Sequence, residues 1–364
     1  MNAPAIATLA GTVLLAFAGQ AVASPQYTYT ALASIDSTGS TATAINNAGQ
    51  ITGYAYVDAS VFHAVVWSGT TVKDLGSPGA YSQGAAINGL GQVAGNAQDG
   101  SGNYLATRWT GNQPSTLGTL GVAATQAQGI NNAGTVVGYA YVTGALSQAA
   151  SWSGTKATSL GSLGNGMQAS AANAVNNAGT VAGGSFIDAS HEHAVTWNGG
   201  AITDLGTIGG ANSYANAIND AGVVAGYATT SGESSFHAVT WSGGIVTDLG
   251  TGGMSDAEAF GINAKGQTVG EAWTGSDSHA ILWEGGTAVD LNSYLSAAMV
   301  GQGWVLEQAN AINDKGQIVG NAFNTNTLVT QAFLLTTAVP EVNTYAMLLA
   351  GLGLMGCMAR RKSR

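Results

Sequence analysis

The chain has 364 residues, of which only 8% are charged and 45% are hydrophobic, with 54 Gly and a formal charge of −10. Disordered chains are charged and poor in apolar residues, so this composition excludes simple disorder and reads as β structure with many tight turns. Four of the nine basic residues (Arg360, Arg361, Lys362 and Arg364) lie at the C-terminus and Cys357 is the only cysteine, so the body offers no basic stripe for nucleic acid and no intrachain disulfide framework.

In chain order, the first element is the apolar run "ATLAGTVLLAFAGQAVAS", residues 7–24. Its small-residue "AVA" ending predicts a signal peptide over 1–23 cut after Ala23, although no Lys or Arg precedes the run. A buried hydrophobic segment is the alternative.

Next comes "AINNAGQITGYAY" at 44–56, a phrase written seven times with its Ile or Val at 45, 87, 130, 175, 218, 262 and 312. Spacings of about 40–45 residues are the size of a four-stranded propeller blade. One unit, residues 213–250, reads as strand "SYANAIN", turn "DAG", strand "VVAGYAT", polar loop, strand "FHAVTW", turn "SGG" and strand "IVTDLG". Only "LNSYLSAAM" at 291–299 has a helical look.

The recurring residues have structural explanations. The Asn of each phrase (Asn46 and Asn219, for example) opens a turn by bonding its own backbone. The first Gly (Gly49, Gly222) closes that turn at positive φ. The second Gly (Gly53, Gly226) lies within a strand, where a neighbouring sheet is expected to leave no room for a side chain. The third strand ends in Trp67, Trp109, Trp152, Trp197, Trp241 and Trp283, with Leu335 in the seventh unit. These read as packers between blades, with a sugar-stacking row as the functional alternative.

The fourth strand, "KDLG" at 73–76 and its cousins, occurs six times. The seventh unit stops at "QAFLLTT", 331–337, without it. The N-terminal "YTYTALAS", 27–34, supplies a replacement through "TALAS". Such closure removes open sheet edges, so the fold class is all-β, a seven-bladed β-propeller over 24–338, with a β-solenoid as alternative.

His63, His193, His237 and His279 share one repeat position at the start of the third strand. Equivalent positions on separate blades do not converge on one metal, so hydrogen bonding at a loop-to-strand corner is the main reading and ligand binding the weaker one. His191 and His193 of "HEH" would share a strand face, a weak metal signal. Asp256 and Glu258 form a carboxylate pair within a polar loop, with no recurring pattern. No catalytic or cofactor motif appears; Asp- and carbonyl-rich loops leave Ca²⁺ open, without an EF-hand or nonapeptide signature. Longer, varied loops such as 76–84, 229–236 and 252–260 share one face, where binding is expected.

The last element, 339–364, has a Pro-Glu motif (Pro340, Glu341), a 15-residue apolar stretch from Tyr345 to Ala359 and a basic end. The stretch is short for a membrane span, and the terminal arginines are expected to stay cytoplasmic. This tail resembles the PEP-CTERM sorting signal of Gram-negative bacteria, with Val342 where that family has a second Pro. A plain membrane anchor is the alternative. The resemblance implies an exosortase-type processing partner, transient inner-membrane anchoring and an association with exopolysaccharide. The "HAV", "DLG" and "AINxxGxxxG" pieces over about 27–337 resemble the HAF family of extracellular repeats, which implies an extracytoplasmic location and no particular activity. The resulting expectation is a non-enzymatic surface protein that binds polysaccharide or another surface component. A secreted propeller hydrolase or lyase needs paired acid–base groups at the axis, which the scarcity of charge disfavours; a passive matrix spacer is the third reading.

Overall fold

The sequence writes seven units, and seven separate antiparallel sheets of four strands result. The computed structural model describes residues 27–337 apart from Ser37, Thr70, 165–167 and 233–234. The predicted signal peptide, Pro340, Glu341 and the apolar run 345–359 lie outside the described residues, and no described helix is long and apolar enough to cross a membrane.

Blades 1 to 6 span Ser40–Asp74, Ser82–Thr116, Thr125–Ser159, Ser170–Asp204, Gly209–Gly250 and Asp256–Asp290. Blade 7 takes three strands from Trp304–Thr337 and its fourth from Tyr27–Ala31, in register from Tyr27 opposite Thr337 to Ala31 opposite Phe333. The propeller with N-terminal closure is therefore borne out over the solenoid. The pairing begins three residues before "TALAS", because Leu32 must take the place of the DLG leucines. Its N–H donates to Ala332 O at 2.9 Å, as Leu75 does to Ala64 O at 2.9 Å and Leu117 to Ala106 O at 2.8 Å.

Antiparallel alternation puts the first-to-second and third-to-fourth turns on one face, hereafter the tight-turn face. The longer connections share the other, loop-rich face. The expected helical segment forms two short turns, a 3-10 turn at Leu291–Tyr294 and a helix at Ala297–Gly301, begun by Asp290 and Ser296 side chains that accept from Asn292 and Met299 N–H.

Each hydrophobic cluster joins two blades. Trp152 of blade 3 packs with Ala94, Ala106 and Leu117 of blade 2, and Trp67 packs with Val319 and Ala332 of blade 7. All six third-strand tryptophans are at most 3% exposed. That confirms them as packers and removes them as a sugar-stacking row, because a buried ring cannot meet a ligand.

The two recurrent glycines do different work. The first has φ between 75° and 88° in all seven units, from Gly91 to Gly49. The second is crowded, but not by a neighbouring sheet as expected. A Cβ on Gly53 would run into the carbonyl oxygen of Thr41, and one on Gly226 into that of Tyr214, both in the first strand of the same blade. Every first strand carries a bulge near this point, between Ala42 and Ala44 in blade 1 and between Ala215 and Ala217 in blade 5. The bulge presses the first strand onto the second, and only Gly leaves space.

Candidate functional site

The tight-turn face is closed around the axis by the seven phrase asparagines. Each Oδ1 accepts the N–H four residues on, as in Asn46 from Gln50 at 2.9 Å and Asn219 from Val223 at 3.0 Å. Each Nδ2 donates to the backbone carbonyl of the next asparagine: 46 to 88, 88 to 131, 131 to 176, 176 to 219, 219 to 263, 263 to 313 and 313 back to 46, at 2.9–3.2 Å. All seven side chains are buried. Only an amide both accepts and donates in this way, since Asp lacks the donor and Ser lacks the reach. The turn role expected of Asn46, Gly49, Asn219 and Gly222 is borne out; the ring is an addition. Above it is a cavity of about 330 Å³ lined by these asparagines and by the residues that follow them, among them Asp220 and Asp314. Both carboxylates are engaged: Asp220 accepts from Asn177 N and Nδ2, and Asp314 accepts from Ala264 N and Asn47 Nδ2.

Further along the axis the bulge residues line the channel: Thr43, Ala85, Gln128, Asn173, Asn216, Phe260 and Asn310. None is charged. Asn173, Asn216 and Asn310 donate to Ala215 O, Ala259 O and Ala42 O of the following blade at 2.7, 2.9 and 2.7 Å.

The four repeat histidines sit at four separate outer corners near the loop-rich face. The Nδ1 of His63, His193, His237 and His279 meets the carboxylate of Asp74, Asp204, Asp248 and Asp290 at 2.9, 2.8, 2.9 and 2.7 Å. Three of these carboxylates also accept the N–H of the glycine two residues on: Gly76, Gly206 and Gly250. Asp290 accepts that of Asn292 instead. Thus "HA" and "DLG" are two halves of one hydrogen-bonded corner, and the histidines do not converge. His191 precedes the strand that starts at Glu192 and pairs with Asp188 at 2.8 Å, so it does not share a site with His193. The same histidine and the Ser190 and His191 N–H groups hold the Asp188 carboxyl below the usual range. No group of three or more His, Cys, Asp or Glu able to hold a metal occurs among the described residues.

The chemically distinctive region lies in the loop-rich half between blades 4, 5, 6 and 7. The residue after the second Gly faces the next blade and varies around the ring: Tyr54, Asn96, Tyr139, Gly184, Tyr227, Glu271 and Asn321. At Gly184 the missing side chain is replaced by the Tyr214 ring and the Glu192 carboxyl, which a Cβ there would overlap. Glu258 accepts from Asn216 Nδ2 at 2.9 Å and stands opposite Glu271 across the strand pair. Burial pushes Glu192 up to about 7; burial and then the nearby Glu271 charge push Glu258 up to about 7, against the opposing Asn216 hydrogen bond. Burial also raises Glu271 and Glu307. An aromatic row runs alongside: Tyr214 stacks on Tyr227 at 6.0 Å, Tyr227 meets Phe236 edge-on at 5.5 Å, and Phe236 tilts against Trp273 at 6.5 Å. A second group, Tyr54, Tyr56, Phe62 and Tyr81, spans blades 1 and 2.

No family model and no curated protein matches the chain. Among solved structures, the β-propeller domain of the trilobed protease from Pyrococcus furiosus, titled as having an open velcro topology, is similar at a TM-score of 0.51 and 12% identity, over 71% of this chain and 85% of its own. The likeness is one of fold. TolB from Acinetobacter baumannii aligns at a TM-score of 0.45 and 10% identity over 79% of this chain; the chain spans 63% of TolB's length.

The reading of Asp256 and Glu258 as loop carboxylates is corrected: both lie on the strand Asp256–Ile262, with Asp256 accepting from Phe236 N at 2.8 Å. Glu192, Glu271, Tyr214, Tyr227 and Gly184 were not singled out by the sequence. For Gly184, Tyr227 and Glu271 the signal was a variable column beside an invariant one, the position immediately after the second Gly; Glu192 and Tyr214 lie on other strands and had no such signal.

Proposed function

We propose that the protein is an exported, surface-associated, non-enzymatic propeller of the HAF-repeat kind that binds matrix polysaccharide through its loop-rich face. The observation that carries the reading is the aromatic row from Tyr214 to Trp273, in which Phe236 is 41% exposed, beside hydrogen-bonding amide and carboxyl groups. Sugar rings pair a C–H face with a hydroxyl rim, and aromatic planes flanked by polar groups suit both. The absence of charge among the bulge residues of the channel also favours binding over catalysis. The register of Tyr27 opposite Thr337 supports the same reading, because these two ends of the propeller both lie at the tight-turn face. A PEP-CTERM-like tail, with exosortase-type processing and transient inner-membrane anchoring, would then hold that face toward the cell and present the loop-rich face outward.

A second reading, a polysaccharide hydrolase or lyase, draws on Glu258 and Glu271. A carboxyl kept protonated near neutral pH beside a second carboxyl is general-acid chemistry. One experiment separates the two. Purified protein is titrated with the host's exopolysaccharide, with and without EDTA, while the sugar's chain length is followed. Saturable binding with intact sugar is expected, and Phe236→Ala should weaken it ~10-fold while costing only about 1–2 kcal/mol of stability from the lost ring contacts. Shortened sugar would replace the binding reading with the enzymatic one, and EDTA sensitivity would add Ca²⁺.

A further inference from the structure

Asn followed by Gly is open to one covalent change that needs no enzyme. The glycine backbone nitrogen, with no Cβ crowding it, attacks the asparagine Cγ. A C–N bond forms as ammonia leaves, giving a five-membered succinimide. Water then opens that ring at either carbonyl and leaves aspartate or isoaspartate. No electrons are gained or lost. The amide and the nitrogen must be free to meet, so the fold decides where the reaction runs. Three such pairs occur in the sequence: Asn88–Gly89, Asn165–Gly166 and Asn198–Gly199. The second lies outside the described residues.

The other two share the tight-turn face and are held in opposite ways. Asn88 belongs to the asparagine circuit and is 3% exposed. Its Nδ2 donates to Gln92 Oε1 and Asn131 O, both at 2.9 Å. Its Oδ1 accepts from Leu90 N at 3.0 Å and Gln92 N at 2.9 Å. The attacking group is held as well, because Gly89 N donates to Asn132 Oδ1 at 2.7 Å. Reaction at Asn88 must first break these bonds by a local opening of the face.

Asn198 ends the third strand of blade 4 and pairs with Ala201 across a two-residue turn. Gly199 and Gly200 take φ of 57° and 88°, and no atom lies within 4 Å of where a Cβ would stand on either. Asn198 is exposed, and its side chain makes no hydrogen bond among the described residues. In the other blades this corner is Ser68, Thr110, Ser153, Ser242 or Glu284, each followed by Gly. Only blade 4 sets an amide beside that glycine.

We propose that Asn198 is a site of spontaneous deamidation, and that the asparagine circuit withholds the same chemistry from Asn88. The product sets a carboxylate, one further negative charge, at the tip of blade 4 on the tight-turn face. As isoaspartate it also lengthens the turn by one backbone bond. The ring closure is spared, so a folded molecule carries this mark of age at its periphery without opening. The inference does not rest on polysaccharide binding.

The test keeps the purified protein in warm, mildly alkaline buffer. Peptide mapping by mass spectrometry, with aspartate and isoaspartate forms separated, follows both pairs over time. Conversion at Asn198 should outrun conversion at Asn88 by ~10-fold or more. In urea the two rates should converge, because only the local sequence then acts. Asn198→Ser, which adopts the residue of blades 1, 3 and 5, should lose the first signal and melt as the parent does. Asn132→Ala removes the acceptor of the Gly89 N–H and should speed conversion at Asn88. The Asn198 rate in that variant should stay as in the parent, which shows that the blades remain folded. Equal rates at the two pairs in the folded protein would overturn the inference, as would a ratio that persists in urea. An Asn88 rate unmoved by Asn132→Ala would overturn the shielding.

Discussion

The two faces of this propeller are built by opposite rules. On the tight-turn face, seven units present the same Asn and the same positive-φ Gly, and the seven asparagine amides link into one closed circuit. On the loop-rich half, the column after the second Gly changes at almost every step, from Tyr54 to Asn96 to Gly184 to Glu271. Uniformity serves ring closure, because each blade must offer its neighbour the same donor and acceptor. Variation is tolerated where that duty is absent, and there the aromatic row and the half-buried carboxyls collect. Substitutions on the first face should therefore act on stability throughout the ring, and those on the second locally.

The largest expected effect breaks the ring itself. Deleting 27–31 removes the fourth strand of blade 7 and uncovers the edge of Val329–Thr337. An open, exposed edge invites aggregation and ends the closure. The milder Leu32→Ala empties a side chain that is 2% exposed and should cost about 3 kcal/mol, or roughly 5 °C of melting temperature. Calorimetry on both variants checks this; a deletion that melts like the parent would show that the N-terminal strand is ornamental.

Next come the two glycines of one phrase, which look equivalent in sequence but are not in structure. Gly226→Ala places a methyl on the Tyr214 carbonyl and must move backbone, for about 3 kcal/mol or more. Gly222→Ala meets no atom within 4 Å and suffers only from φ of +81°, for about 1–2 kcal/mol. Urea midpoints that reverse this order would refute the crowding argument.

Asn219→Asp divides the asparagine's two tasks. The Asp keeps an acceptor for Val223 N–H but loses the donor to Asn263 O at 3.0 Å and sets a carboxylate against that carbonyl. The expected cost is about 1–3 kcal/mol, and Asn219→Ala, which loses both bonds, should cost at least as much. If Asp behaves as wild type, the circuit contributes nothing and the turn alone explains the repeated residue.

Much of the uniform face was legible in sequence because its cause is local. Asn46-type turns, Gly49-type φ and the 42-to-50-residue period all follow from short-range backbone rules. The closing strand was legible from a missing "DLG", since Leu32 repeats the buried leucine of that motif. The bulge behind Gly53 was not, because its cause is a neighbouring strand's register. Nor was the circuit, whose hydrogen bonds cross 42 to 50 residues, and 267 at the closure. The histidines were placed correctly at loop-to-strand corners, but their partner, the Asp eleven residues on, was read separately as part of "DLG". The Glu192–Tyr214–Glu258 region was least legible: it forms only when seams between different blades set single, non-repeating residues together.

An effect that vanishes at acid pH distinguishes that region. Glu258 is held up to about 7 from an ordinary 4.5, chiefly by burial, with Glu271 beside it and Tyr227 and Glu192 nearby. Below pH 4.5 the folded and unfolded chains both carry this proton, and it contributes no difference. Between 4.5 and 7 the unfolded chain has released it while the folded chain retains it, so stability falls as pH rises. Above about 7 the penalty is complete. Glu258→Gln keeps an oxygen for the Asn216 amide and removes the charge. It should match wild type near pH 4 and be more stable near pH 8, by about 1–3 kcal/mol. Urea unfolding at the two pH values reads the difference directly. A gain equal at both would point to packing alone, and no gain at pH 8 would mean that water reaches the carboxyl freely and the seam is open where it should be closed.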